Sequence, residues 1–119
     1  MTTNAPTQPA GHALALSALG DPTRRAIFEQ LAERPSAVVD LADRLPISRP
    51  AVSQHLKVLK EAGLVRDVQS GNRRIYSLDP DGIEGLRDYL ERFWNTALRS
   101  FKRWVEQPPQ PNEKEKRDD

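Results

Sequence analysis

The stretch Leu41–Val65, LADRLPISRPAVSQHLKVLKEAGLV, reads as two helices joined by a tight turn. Ser48 is placed to cap the second helix, Pro50 suits its first turn, and Gly63 follows Ala62 as a stop. Val52, Leu56 and Leu59 recur at i, i+4 and i+7, a stripe that must be buried. The opposite side of the same helix carries Pro50, Ser53, Gln54, Lys57 and Lys60, with Arg49 at its margin. Hydroxyl, amide and cationic groups on one exposed face are what base-edge and phosphate contacts require. The pattern predicts the recognition helix of a helix-turn-helix; the competing reading is a surface helix with a merely solvated face.

Downstream, Leu64–Gln69 and Arg73–Leu78 alternate as strands do, and Ser70–Gly71–Asn72 between them is turn chemistry. A helix-turn-helix followed by a hairpin describes a winged helix, with Arg73 and Arg74 of the wing directed at the phosphate backbone. The expected fold is mainly α with a small antiparallel β-hairpin. Five helices plus a wing are predicted: about Pro9–Leu19, Pro22–Glu33, Ala37–Leu45, Arg49–Ala62 and Asp81–Glu106. The second opens on Asp21–Pro22, an N-cap followed by proline at the first helical position, and should bury Ile27, Phe28 and Leu31.

Three runs together, ALGDPTRRAIFEQLAE, LADRLPISRPAVSQHLKVLKEAGLV and RDVQSGNRRIYSL, resemble the ArsR family of bacterial winged-helix repressors. The resemblance covers Ala13–Val105, and its most specific pieces are Leu19–Arg25 and Val52–Val65. It implies a homodimer that binds an inverted-repeat DNA operator, paired through the first and last helices. It also directs attention to metals. The thiolate site of arsenic and cadmium sensors in this family lies just before an Asp-Leu pair, which matches Ala37 and Val39 ahead of Asp40–Leu41. Neither side chain can ligate a metal. The family's zinc site needs histidine in the last helix, and Asp81–Glu106 has none. No transition-metal cofactor is therefore expected.

Length and composition agree with one small domain. Of the 119 residues, residues 1–8 and 107–119 lack apolar periodicity and read as disordered tails, leaving 9–106 as the folded part. Net charge is only +1, but between Arg44 and Ile75 seven bases face two acids. That polarity suits a polyanion on one side of the protein. The absence of cysteine excludes disulfides and thiolate chemistry. Without a targeting segment or an apolar run of membrane-spanning length, the expected location is the cytoplasm, with no membrane partner.

The last helix is too apolar for one job. Leu86, Leu90, Phe93, Ala97, Phe101 and Trp104 share one side, Tyr89 widens it on one flank, and Trp94, Leu98 and Val105 widen it on the other. The arc approaches about 180°, against the roughly 100° that packing on one core needs. Part of it is expected to meet a second subunit. The predicted dimer interface is Leu14, Leu16, Tyr89, Phe93, Trp94, Ala97, Leu98, Phe101 and Trp104.

For DNA, Ser53 and Gln54 are the expected base readers, and Arg49, Lys57, Lys60, Arg73 and Arg74 the phosphate contacts, with Arg49 also able to reach guanine and Pro50 beside them. His55 lies at the rim of the packed face, open to a structural role or a DNA contact. Catalysis is not expected, because Ser53 and His55 are two apart on a helix and diverge. Two other readings use the same residues: a winged helix that docks a protein, and a regulator answering a small organic ligand near Tyr89, Trp94 or Trp104.

Overall fold

The computed structural model describes residues 7–107. Its elements run α1 (Thr7–Gly20), α2 (Pro22–Glu33), α3 (Val38–Arg44), α4 (Arg49–Glu61), β1 (Val65–Ser70), β2 (Arg73–Leu78) and α5 (Pro80–Glu106). This is the expected order of helices and hairpin. The helix α1 begins at Thr7, two residues ahead of the predicted Pro9; the rest of the two expected tails, apart from Gln107, lies outside the described residues. The chain divides into two units, one ending at Leu86 and one starting at Arg87.

The first unit holds the core. Ile27 and Leu31 from α2, Leu41 from α3, and Val52, Leu56 and Leu59 from α4 are all buried, joined by Ala15 and Ala18 of α1 and Leu86 of α5. The apolar stripe of α4 is wholly inaccessible, with Val52, Leu56 and Leu59 each at 0% exposure. Phe28, predicted buried, packs half-buried against this core.

Local chemistry explains where the helices start and stop. Asp21 Oδ2 accepts from the Arg24 amide at 2.9 Å with Pro22 at the first helical position. The same device recurs at α5, which starts one residue before the predicted Asp81. There Pro80 opens the helix and Asp79 Oδ1 accepts from the Asp81 amide at 3.0 Å. The two arginines after Pro22 close the preceding helix. Arg24 Nε donates to the Ala18 carbonyl at 2.8 Å and Arg25 Nη1 to the Leu19 carbonyl at 2.9 Å, satisfying acceptors at the end of α1. The DPTRR run thus builds the α1–α2 corner.

Helix α4 is capped at its start by Ser48, whose Oγ accepts from the Ala51 amide at 3.3 Å. At its end Gly63 takes φ +80°, its amide reaches the Lys60 carbonyl at 3.0 Å, and the Leu64 amide reaches the Leu59 carbonyl at 3.0 Å. That pair of bonds is a Schellman motif, and the buried Leu64 and Leu59 supply its apolar contact. Gly82 of α5 comes so close to this turn that a Cβ there would collide with the Gly63 carbonyl oxygen.

The strands pair antiparallel, Val65 with Leu78 through Ser70 with Arg73, so only Gly71 and Asn72 form the turn. The sequence pattern predicts a three-residue turn; instead, Gly71 at φ +65° allows a two-residue turn with glycine first, matching the twist of the strands. A feature absent from the sequence reading is a bridge from Ser36 to Tyr76, with amide-to-carbonyl distances of 3.0 and 2.8 Å. It fastens the α2–α3 connection to the wing.

Candidate nucleic-acid interface

The buried stripe of α4 fixes which residues face outward. Arg49, Pro50, Ser53, Gln54 and Lys57 are exposed, on the side away from Val52, Leu56 and Leu59. No side chain of Arg49, Gln54 or Lys57 has a hydrogen bond or ion pair to another described residue, so their side-chain donors and acceptors are open to a ligand. His55 differs. It is half-buried and lies close enough to Asp21, the cap of α2, to help hold that carboxyl below its ordinary range. The leading cause of that depression is the Arg24 amide bonded to the carboxylate.

The remaining cations of the predicted interface are engaged. Lys60 Nζ lies 2.8 Å from Asp67 Oδ1, and Arg74 Nη1 lies 2.6 Å from Asp67 Oδ2. Arg73 Nη2 lies 2.7 Å from Asp40 Oδ2, which joins the wing to α3. Adjacent strand residues point to opposite faces, and Arg73 and Arg74 accordingly find different carboxylates. The sequence reading sends both to one phosphate backbone; the structure does not bring them together, although both keep about half their side-chain surface in solvent.

The sequence shows Asp67 only as a charge to subtract and Asp40 only as half of the Asp40–Leu41 pair. Asp67 follows the buried Val65 by two residues, so strand alternation turns it inward, and its side chain is only 5% exposed. A carboxylate so placed must find cations, and that alternation is the signal that could have revealed it. The hydrogen bond from Lys60 holds the Asp67 carboxyl below its ordinary range, Arg74 adds to this, and burial opposes it. Asp40 is also lowered, first by accepting from the Ala37 amide at 3.2 Å and then by Arg73. Its role as half of a cap at α3 follows from Ala37, which has no side-chain acceptor.

Among the described residues no three His, Cys, Asp or Glu side chains converge as a metal site would need, and no helix is long and apolar enough to cross a membrane. Leu14 and Leu16 of α1 are 56% and 41% exposed. In the second unit, Phe93, Trp94, Phe101 and Trp104 are each about 60% or more exposed, Leu98 and Ala97 are exposed as well, and Tyr89 is half-buried. Of the aromatics considered for a ligand, Trp104 borders a hollow of about 310 Å³ with Ser100, Arg103 and Gln107; Tyr89 and Trp94 do not line it.

An exposed polar face on the second helix of a helix-turn-helix, flanked by a basic hairpin, defines a winged-helix DNA-binding protein. A family described as a helix-turn-helix domain matches residues 19–68. The HTH-type transcriptional regulator Rv2034 of Mycobacterium tuberculosis is 56% identical over 92 residues, spanning 77% of this chain and 86% of that protein. The transcriptional repressor SdpR of Bacillus subtilis is 33% identical over 78 residues, spanning 66% of this chain and 87% of SdpR. Among solved structures, an ArsR-like transcriptional regulator from Rhodococcus sp. RHA1 superposes with a TM-score of 0.68 at 33% identity, covering 79% of this chain and 92% of that one. The chain belongs to the ArsR family of winged helix-turn-helix transcriptional regulators, DNA-binding proteins rather than enzymes.

Proposed function

We propose that this protein is a sequence-specific repressor that binds an inverted-repeat operator as a homodimer, in the cytoplasm, without a transition-metal sensor site. The observation that carries the reading is the division of α4: a stripe at zero exposure on one side, and unengaged Arg49, Gln54 and Lys57 with exposed Ser53 on the other. Ser53 and Gln54 read base edges, while Arg49, Lys57, Lys60, Arg73 and Arg74 meet phosphates. His55, half-buried and close to Asp21 of the α2 cap, is given a structural role rather than a DNA contact. The dimer buries Leu14 and Leu16 of α1 in the first unit and the aromatic face of α5 in the second, since large apolar side chains left this exposed mark an interaction site. The repressor sign follows the similarity to SdpR. The positions that would carry thiolates hold Ala37 and Val39.

The test begins by selecting bound sites from a random duplex library. Ser53→Ala and Gln54→Ala are then measured on the selected duplex and on a random one. Discrimination should fall by about 1–3 kcal/mol for a bidentate contact, with random-duplex affinity unmoved. Equal losses on both duplexes would make these residues positioning contacts and remove the readout assignment. Repeating the measurement with zinc and with a chelator should change nothing.

A further inference from the structure

Asp67 stands between the two DNA-directed elements. Its carboxylate takes Lys60 of the last turn of α4 on one oxygen, at 2.8 Å, and Arg74 of β2 on the other, at 2.6 Å. The cations remain half in solvent, at 55% and 52% side-chain exposure, while the carboxylate between them is 5% exposed. The register explains the geometry: Asp67 is opposite Tyr76, and Arg74 is the diagonal neighbour two residues before it. We infer that Asp67 is a specificity-determining residue of the DNA interface, setting the spacing of Lys60 and Arg74 and withholding charge from DNA of arbitrary sequence. This rests on Lys60 and Arg74 being phosphate contacts, as proposed above.

The reasoning is electrostatic. Lys60, Asp67 and Arg74 together carry a net single positive charge, although two cations face solvent. A phosphate that draws either cation away breaks one of the two bridges and leaves the Asp67 carboxylate, 5% exposed with both in place, with one partner fewer. Loose contact with a random duplex therefore gains little from these side chains. A duplex that seats α4 in the groove can meet both cations where Asp67 already holds them, with no carboxylate abandoned. The same bridges tie the end of α4 to the wing, so helix and hairpin are presented at a fixed separation. Asp67 thus lowers affinity for random DNA and raises the ratio of selected to random binding.

The experiment compares wild type, Asp67→Asn and Asp67→Glu on the selected duplex and on a random duplex of equal length, across a range of salt concentrations. Thermal unfolding midpoints serve as a folding control. Asp67→Asn should bind the random duplex several-fold more tightly at low salt, because a second cation becomes available. Its log–log salt slope should steepen by about 0.9 for each protomer engaged. The selected-to-random ratio should fall several-fold, and Asp67→Glu should keep the wild-type slope. A purely structural role would weaken both duplexes and leave the slope alone; that result, or an unchanged random-duplex affinity, overturns the inference. If Asp67→Asn does not fold, Asp67→Ser makes the same comparison. Lys60→Gln and Arg74→Gln are measured in parallel and should flatten the slope. If wild type binds the duplex and neither variant flattens it, the phosphate assignment fails, and the inference falls with it. If both flatten it and Asp67→Asn does not steepen it, the role of Asp67 alone fails.

Discussion

Helix α4 and the part of α5 after Leu86 both carry apolar side chains at helical spacing, and they end up in opposite environments. In α4, Val52, Leu56 and Leu59 are covered completely within their own unit, where α4 packs against α2, α3, β1 and α1. In α5 from Arg87 on, none of the described residues is buried, and the face holding Phe93, Phe101 and Trp104 stays open. Sequence periodicity marks a stripe that needs cover, but not where the cover comes from. A stripe of three medium aliphatics is satisfied within a small unit; an arc of about 180° that includes five aromatics, two of them tryptophans, exceeds what one core can take. The difference separates a helix whose outward face is free to read DNA from one whose exposed face calls for a second subunit.

The largest effect should come from charging the open face. Trp94→Glu with Phe101→Glu places carboxylates in a packed interface, where they lose water without gaining partners. The expected product is a monomer by sedimentation velocity, with operator affinity reduced toward the non-specific level, about 10³-fold or more. The core of the first unit does not include either residue, so its fold should survive. A doubly charged variant that still sediments as a dimer would place the interface elsewhere and break the comparison.

The covered stripe should respond differently. Leu56→Ala removes buried methyl groups from a site with 0% exposure and should cost about 2–5 kcal/mol of stability in denaturant unfolding. The dissociation constant of the dimer should stay near wild type wherever the protein is folded. A loss well below that range would mean that the core around α4 collapses onto the cavity and is softer than its burial implies.

The smallest effect concerns pH. Asp21, Asp40 and Asp67 all have folded pKa values below the ordinary carboxylate value of 3.8. A carboxyl depressed on folding adds stability that is complete above its unfolded pKa and is lost as pH falls through the folded one. Stability against denaturant should therefore be flat above about pH 5 from these groups and decline below the ordinary carboxylate range. Asp67→Asn should decline less steeply there than wild type. Equal declines would mean that the bridges to Lys60 and Arg74 are not kept in solution.

Much of this could be read from the chain because it is local. Ser48 as a cap, Asp21–Pro22 as a helix start, Gly63 as a stop and the i, i+4, i+7 stripe each depend on residues within a turn or two. The hairpin was legible for the same reason, except that its turn is one residue shorter than the Ser70–Gly71–Asn72 pattern implies. The open face of α4 was legible once its stripe was assigned to the core. The pairings of Lys60, Arg73 and Arg74 were not. Asp40 lies 33 residues from Arg73, and Asp67 lies seven from Arg74 across the turn, so only the register of β1 on β2 and the placement of the wing against α3 bring them into contact.

The sequence by itself determined the order of the elements, the caps of α2 and α4 and the buried stripe of α4, since backbone capping and helical periodicity act over a few residues. Tertiary structure alone decided which cations remain free. Arg49 and Lys57 face outward unengaged, whereas Lys60, Arg73 and Arg74 are drawn to carboxylates from other elements. The physical reason is that charges pair by distance in space, and an inward-turned carboxylate such as Asp67 draws the cations that folding brings within reach, whatever their separation along the chain.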